Sequence, residues 1–426
     1  MEKKNTRLFH GVPAIFDDGQ WIVLSADFKE IITIPENEID DPKIFHDLRE
    51  SGFFEYETSP VTTFQLTLIT TSDCNLRCAY CFANSGEFSA LMTEDIARAA
   101  VEHAVKASAG RKLSVAFFGG EPTLTSGLIQ DVVEYATTLK KAQAENNEVE
   151  FSITTNGVMS AEFLEFLISK KFKVTLSADG PAEIQNIHRP LKNGGESSNI
   201  VEKTIRQLAP IIKEFKLRVT ATSFSVSRMD EIVDWFHSLG GKLIHFEPVS
   251  ISGRATKNNK GLALEKPSPE EFSDNLQKAI LRGNELGVQI VNSAFMNIST
   301  PPPEFCEGNA NNRISVSYTG DVTTCVEVQE KCHPASTDFI IGKYDSNTKS
   351  IVLDREERKK LCDGIKIKDC LECFAVRSCG GGCPVRNFHT TGSMGKVDPY
   401  RCENIKSMLP FLIKMFLKTS MEAAKS

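Results

Sequence analysis

The chain predicts an α/β fold built on a parallel sheet, and two observations carry the prediction. Between about residues 60 and 290, short β-like runs alternate strictly with amphipathic helical segments. Such alternation requires parallel strands joined by crossover helices. The glycine-bearing and polar motifs also fall directly after the β-like runs, where functional groups of parallel α/β folds collect.

The strand candidates are 64–70, 113–118, 151–155, 174–177, 217–222 and 243–247. Helical patterns follow at 94–107, 127–139, 161–169, 199–214, 229–239 and 268–286. Six strand–helix units form either a sheet or a barrel, two units short of a closed eight-stranded one. The 426 residues, 41% hydrophobic, suffice for two or three domains. The charged start, Met1-Glu2-Lys3-Lys4, is not a signal peptide, and no run approaches the roughly 20 apolar residues of a membrane span. A net charge of −7 without a basic tract argues against nucleic acid as a partner. Twelve cysteines without an export signal favour metal ligation over disulfides, in a reducing, cytoplasmic setting.

Directly after the first strand candidate come Cys74, Cys78 and Cys81, spaced C-x3-C-x2-C with Tyr80 before the last. Thiolates bind soft metals, and a cubane iron–sulfur cluster takes four. Three in one loop leave one iron open to bind and activate a ligand. Half of a zinc site is the competing reading, but no further Cys or His lies within twenty residues on either side. The loop Cys74-Asn75-Leu76-Arg77-Cys78-Ala79-Tyr80-Cys81 resembles the cluster loop of the radical S-adenosylmethionine (SAM) superfamily. That resemblance implies a partial (β/α)6 radical SAM barrel, a [4Fe-4S] cluster whose open iron holds SAM, and SAM cleavage to a 5′-deoxyadenosyl radical.

After the second strand candidate stands Gly119-Gly120-Glu121-Pro122, with two glycines for close approach and a carboxylate for an ammonium group. Alone it reads as a turn; one strand after the cysteine loop, it resembles the family stretch that holds the SAM amine. The later strands end in Thr155-Asn156-Gly157, Ser177-Ala178-Asp179-Gly180 and Glu247-Pro248-Val249. The resemblance implies SAM contacts from Tyr80, Gly119, Gly120, Glu121, Asn156, Ser177, Asp179, Arg189 and Val249. Ser177 and Arg189 are assigned to the methionine carboxylate and Val249 to the adenine. Asp179 reads equally as a turn-capping residue. His188 and His245 read as packed or solvated side chains, because nothing near them in sequence completes a metal set.

The C-terminal third carries Cys306, Gly320 and Cys325, then Cys370, Cys373, Cys379 and Cys383, then Cys402. A zinc ribbon is the alternative for the central four. The seven-cysteine order resembles the cysteine-rich SPASM domain of peptide-modifying radical SAM enzymes, which holds two auxiliary clusters. By that resemblance Cys306, Cys325 and Cys383 ligate auxiliary cluster I, and Cys370, Cys373, Cys379 and Cys402 ligate auxiliary cluster II. Three cubane clusters, one of them open, take eleven thiolates, against twelve cysteines present. Cys332 and Cys362 are the candidates for the missing ligand of cluster I, and an iron left open for a substrate thiolate is the alternative. Gly320 fits a hairpin turn between the strands that carry its first two ligands.

Residues 1–60 form a small α+β segment, with strands near 14–16, 21–24 and 31–34 and a helix near 42–51. It resembles part of a leader-peptide recognition domain, and a cap over the barrel base reads equally well. The expected organisation is therefore 1–60 N-terminal segment, 61–295 barrel, 296–410 SPASM domain and 411–426 helical tail. The function implied is modification of a ribosomally made precursor peptide by a thioether or carbon–carbon crosslink, with an electron donor such as flavodoxin or ferredoxin. The alternative is an anaerobic sulfatase-maturating enzyme that forms formylglycine.

Overall fold

The computed structural model describes residues 5–56, 62–142, 148–257, 264–293, 312–331, 333–354, 356, 367 and 370–423. Three ligand candidates, Cys306, Cys332 and Cys362, lie outside these residues. The chain opens with a four-stranded antiparallel meander, β1 (Thr6–Phe9), β2 (Val12–Asp17), β3 (Gln20–Leu24) and β4 (Ile31–Pro35), followed by α1 (Pro42–Glu50). Asp18 and Gly19, at φ +45° and +76°, turn β2 into β3 as a two-residue hairpin requires. Strand β1 is additional to the sequence reading, because Thr-Arg-Leu-Phe has no alternation to announce it. Asp41 caps α1 by accepting from the Lys43 amide at 2.8 Å, with Pro42 in the first turn.

The main sheet has eleven strands. Its parallel part comprises β5 (Thr63–Ile69), β6 (Lys112–Phe118), β7 (Val149–Thr155), β8 (Lys173–Ser177), β9 (Phe215–Ala221), β10 (Leu243–Pro248) and β11 (Gln289–Val291). The crossovers are α2 (Glu94–Ala107), α3 (Ser126–Lys141), α4 (Ala161–Ser169), the pair α5 (Ala182–His188) and α6 (Ser198–Leu208), α7 (Met229–Ser238) and α8 (Pro269–Leu286). All six expected strands are present, and β11 adds a seventh. The helix expected over 199–214 stops at Leu208; Ala209 still has helical dihedrals, but Pro210 has no N–H to continue the ladder and its ring crowds the preceding turn. At the other edge of β5, β12 (Arg313–Val316) pairs in parallel and leads into the antiparallel β13 (Asp321–Thr323), β14 (Ile340–Asp345) and β15 (Ser350–Leu353). The barrel and the C-terminal region thus share one sheet. Gly320, at φ +85°, turns β12 into β13 as expected.

Parallel strands covered on both faces usually read as continuous apolar runs. These alternate instead. In β5, Phe64, Leu66 and Leu68 are buried under the helices while Gln65 and Thr67 point the other way, half-exposed. The concave face is polar, with Ser177, Arg218, Thr220 and His245 on it, and that face holds the site.

The C-terminal region ends in α9 (Pro384–Thr391) and α10 (Pro399–Ala423), the latter running unbroken through the expected boundary at residue 410. The N-terminal sheet docks here. Ile15, Ile22, Leu24 and Phe28 share one buried cluster with Phe374, Ala375, Cys379, Ile405, Leu409 and Ile413. Arg377 Nε donates to the Gly11 carbonyl at 2.7 Å, and Lys414 pairs with Asp17 at 2.6 Å. The opposite face of the meander packs under α1 and the Phe53-Phe54 pair. Among the described residues no helix is long and apolar enough to cross a membrane.

Candidate functional site

Strand β5 delivers the cysteine loop to the carboxyl end of the sheet. Arg77 ties it into shape, donating to the carbonyls of Cys74 (2.7 Å), Leu76 (2.8 Å) and Gly86 (2.7 Å). Gly86 sits at φ +82°, a conformation that favours glycine, and a Cβ there would also press on the Arg77 guanidinium. Arg254, beyond β10, fastens the loop from the other side through the carbonyls of Cys78 (2.9 Å) and Ser85 (3.1 Å). The amides of Arg77 and Ala79 donate to the carbonyls of Pro190 and His188, docking the loop on the segment after α5.

Amide and guanidinium groups are aimed at the sulfurs. Leu76 N–H approaches Cys74 Sγ at 3.4 Å, Ser85 N–H approaches Cys81 Sγ at 3.4 Å, Asn156 Nδ2 reaches Cys74 Sγ at 3.7 Å and Arg189 Nη1 reaches Cys78 Sγ at 3.8 Å. Burial pushes the Cys74 thiol up to about 12 and the Cys78 thiol up to about 11. Thiolates in such a place need a metal's positive charge, and N–H donors on the sulfurs are what tunes a cluster. Among the described residues no three or more His, Cys, Asp or Glu side chains gather around a single-ion site. The three thiols instead line the wall of a cavity of about 320 Å³. A cluster with an open iron fits this donor set.

The glycines of Gly119-Gly120 answer to a packing demand. A Cβ on Gly119 would lie 2.5 Å from the Thr71 carbonyl oxygen, and one on Gly120 would lie 2.1 Å from that of Asp73. The end of β6 therefore presses directly on the base of the cysteine loop, and the Gly120 and Glu121 amides donate to those same carbonyls at 2.8 Å. Close approach was the expected reason for the glycines, but the approaching group is the chain's own backbone. Glu121 is buried, and its carboxylate accepts from Thr155 Oγ1 (2.7 Å), Asn156 N–H (2.7 Å) and Thr123 N–H (3.1 Å). Burial raises its pKa, and these three donors partly offset the rise.

Gly119, Gly120, Glu121, Asn156, Ser177, Arg189 and Tyr80 all line the cavity with the three cysteines. Two expected contacts do not. Asp179 stands behind the wall, fully buried, with Tyr80 Oη, His188 Nδ1 (3.0 Å) and Arg189 Nε (3.1 Å) on its Oδ2 and Thr220 N–H (3.0 Å) on its Oδ1. Burial alone would raise its pKa, but the Arg189 charge and the His188 hydrogen bond hold it well below the usual carboxylate range. Val249 turns away and packs with Tyr80 and Ala255, because side chains alternate along the strand end; Pro248 and Ser250 face the cavity in its place. Both histidines are packed and partnered, His188 also by Thr222 (3.0 Å) and His245 by Glu247 (3.0 Å).

Sequence reasoning missed Arg218, Arg254, Arg386 and Glu327. All four line the cavity. Lone charged residues carry no spacing signal, although Glu327 and Arg386 each lie within three residues of a flagged cysteine. Arg386 and Glu327 approach to 3.7 Å, and with Val326 they form the wall contributed by the C-terminal region.

The C-terminal cysteines fall into two neighbourhoods. Cys325 and Cys383 border one small cluster built on Val328, Ala335, Phe339 and Val385. Cys373 and Cys379 share the cluster under the N-terminal meander. Lys406 hydrogen-bonds Cys402, whose charge raises its pKa, with smaller contributions from Cys373 and Cys370.

Residues 68–246 match the Radical SAM superfamily. The cysteine-type anaerobic sulfatase-maturating enzyme of Clostridium perfringens is 24% identical over 337 residues, covering 73% of this chain and 86% of that protein. Native anSMEcpe with bound AdoMet and Cp18Cys peptide superposes with a TM-score of 0.66 at 20% identity, over 85% of this chain and 99% of that one. Streptococcus suis SuiB bound to precursor peptide SuiA superposes with a TM-score of 0.54 at 15% identity, over 93% and 99%.

Proposed function

We propose that this chain, which carries a radical SAM domain across residues 68–246, is an enzyme that modifies a ribosomally made peptide by abstracting hydrogen from a C–H bond and forming a thioether or carbon–carbon crosslink. The observation that carries the reading is one cavity lined both by Cys74, Cys78 and Cys81 and by Val326, Glu327 and Arg386 beside Cys325 and Cys383. A substrate held there lies between the SAM site and the nearer C-terminal cysteines. The named likeness to a structure with a bound precursor peptide supports a peptide partner.

When bound, the cluster and SAM supply a carbon-centred radical able to attack an unactivated C–H bond. The chain's residues bind and position. Cys74, Cys78 and Cys81 would hold the cluster, while Arg77 and Arg254 keep their loop rigid. Ser177 and the backbone near Gly119 and Gly120 would receive the amino-acid end of SAM, with Asn156 steadied between Asn75 and Glu121. Cys325 and Cys383, with Cys306 and one of Cys332 or Cys362, would hold one auxiliary cluster, and Cys370, Cys373, Cys379 and Cys402 the other.

A second reading, formylglycine formation on a sulfatase, is favoured by the relative that aligns over 86% of its own length. The experiment is anaerobic incubation of the iron-loaded, reduced protein with SAM and two peptide sets. One set comes from short reading frames beside the gene, and the other from sulfatase segments bearing Cys or Ser. The proposed reading requires 5′-deoxyadenosine and a product short of two hydrogens from the first set. Product from the second set alone would install the alternative.

A further inference from the structure

Arg401 stands in the first turn of α10, directly before Cys402, and is buried. On one side its guanidinium hydrogen-bonds the Cys379 sulfur, which also receives the Gly381 N–H. Gly382 makes room for the stem, since a Cβ there would lie 3.0 Å from Arg401 Cδ. On the other side Nη1 donates to Ser293 Oγ at 2.9 Å and Nη2 to the Ser293 carbonyl at 2.7 Å. Ser293 lies just past β11, and its own amide donates to Glu247 Oε1 at 2.7 Å. Glu247 feels the charges of Arg218 and Arg386, both on the cavity wall. One arginine therefore joins a C-terminal cysteine to the barrel edge that borders the cavity.

The thiols around it fit a cluster. Cys373 and Cys379 share one buried neighbourhood, the Cys373 amide donates to the Cys370 carbonyl at 3.0 Å, and Lys406 hydrogen-bonds Cys402. Among the described residues no three of these thiols close on a single ion, as suits sulfurs at the corners of a cubane rather than around one metal. Hydrogen bonds to the sulfurs and the nearby charge set the potential of such a group. Reduction adds negative charge, so a cation held against a sulfur stabilises the reduced form and raises the potential. Both Ser293 acceptors are neutral oxygens, which orient the Arg401 fork without cancelling its charge.

We infer that Arg401 is a positioning residue that raises the reduction potential of the site formed by Cys370, Cys373, Cys379 and Cys402, through its contact with the Cys379 sulfur and its anchorage on Ser293. Lys406, on Cys402, acts in the same direction. Reading those four cysteines as a cluster site rests on the function proposed above.

The test is a redox titration of full-length, anaerobically iron-loaded protein, followed by electron paramagnetic resonance. The parent carries Cys74→Ala, Cys78→Ala and Cys81→Ala, so that only the C-terminal clusters contribute. Arg401→Gln, Arg401→Lys and Lys406→Gln are compared on that background. One wave should move to more negative potential in Arg401→Gln and less far in Arg401→Lys. The same wave should move in Lys406→Gln, while the other wave stays. A merely structural role would alter melting or iron retention and leave the potential of the retained cluster where it was. Should Arg401→Gln lose its cluster, the two milder variants, Arg401→Lys and Lys406→Gln, decide by the same shift. Unmoved waves in iron-retaining variants overturn the inference and leave the proposed function standing. A parent whose iron content is unchanged when Cys370, Cys373, Cys379 and Cys402 are replaced with Ala contradicts the cluster assignment itself, and the inference falls with it.

Discussion

Arg189 donates through Nε to Asp179 at 3.1 Å while its Nη1 reaches Cys78 Sγ at 3.8 Å. A fully buried carboxylate thus positions a guanidinium against a proposed cluster ligand, with the Tyr80 ring 5.5 Å from the guanidinium carbon. Asp179→Asn removes the charge but not the volume. Leaving Arg189 buried without its counter-ion should cost about 3–5 kcal/mol, read by chemical denaturation. The pH dependence follows from the depressed carboxylate. Its folded pKa lies below its unfolded value of about 3.9, so its contribution is complete above that value and fades only as pH falls through the lower folded one. Wild-type stability should therefore show no loss from Asp179 between about pH 5 and 8, and the Asn variant should be equally weak across that range.

The cysteine loop gives a second expectation. Replacing Cys74, Cys78 and Cys81 together with Ala should remove about four irons and abolish 5′-deoxyadenosine formation. Iron bound through the C-terminal cysteines should remain, since none of them lies on that loop. Iron assay and chromatography of the reaction check both points, and full SAM cleavage by the triple variant would refute the assignment.

Glu121 gives a third, with two readouts. Its carboxylate accepts three hydrogen bonds, so the amide nitrogen of Glu121→Gln cannot satisfy every donor facing it. Stability should fall by about 1–3 kcal/mol. SAM binding should weaken by roughly ten- to a hundredfold if the carboxylate also receives the SAM ammonium, a charge-assisted bond. The raised pKa adds a pH signature. A group whose folded pKa lies above its unfolded one loses its stabilising contribution as pH rises through the folded value. The wild type should show that decline above about pH 4.3 and the Gln variant should lack it.

The docked meander gives a fourth. Leu24 is fully buried against Ile405, Leu409 and the Cys373–Cys379 neighbourhood. Leu24→Ala should cost about 2–5 kcal/mol and speed loss of iron in air from the C-terminal region. Iron retention against time checks this, and unchanged retention would mean that the meander does not shield those cysteines.

Much of the fold was legible because it rests on local periodicity. Six of the seven parallel strands show in the alternation, and Ser268-Pro269 with Gly287 brackets α8 in the order that helix ends demand. The cysteine loop and the Gly-Gly-Glu stretch were legible because fixed spacing on one loop survives without knowledge of tertiary structure. What escaped depended on long-range placement. The side chain of Asp179 turns from the cavity toward His188 and Arg189, a choice made by α5, which no pattern announced. Arg218 and Arg386 meet the cavity from elements 168 residues apart in sequence, and only the folded sheet shows them as neighbours. The docking of β2 and β3 on the C-terminal cysteines was likewise invisible, since each apolar strand face is equally suited to several partners.

The pairing of β12 with β5 has a consequence for biosynthesis. Strand β5, which launches the cysteine loop, gains its second neighbour only when Arg313–Val316 have been made. Until the ribosome passes that point, the backbone groups along one side of β5 stay unpaired, the exposed edge that invites association with other chains. Closing a loop of that length is slow relative to pairing within a hairpin. The nascent sheet therefore stays unfinished, with its first cysteine loop already synthesised, until the segment that also leads into the remaining cysteines is made.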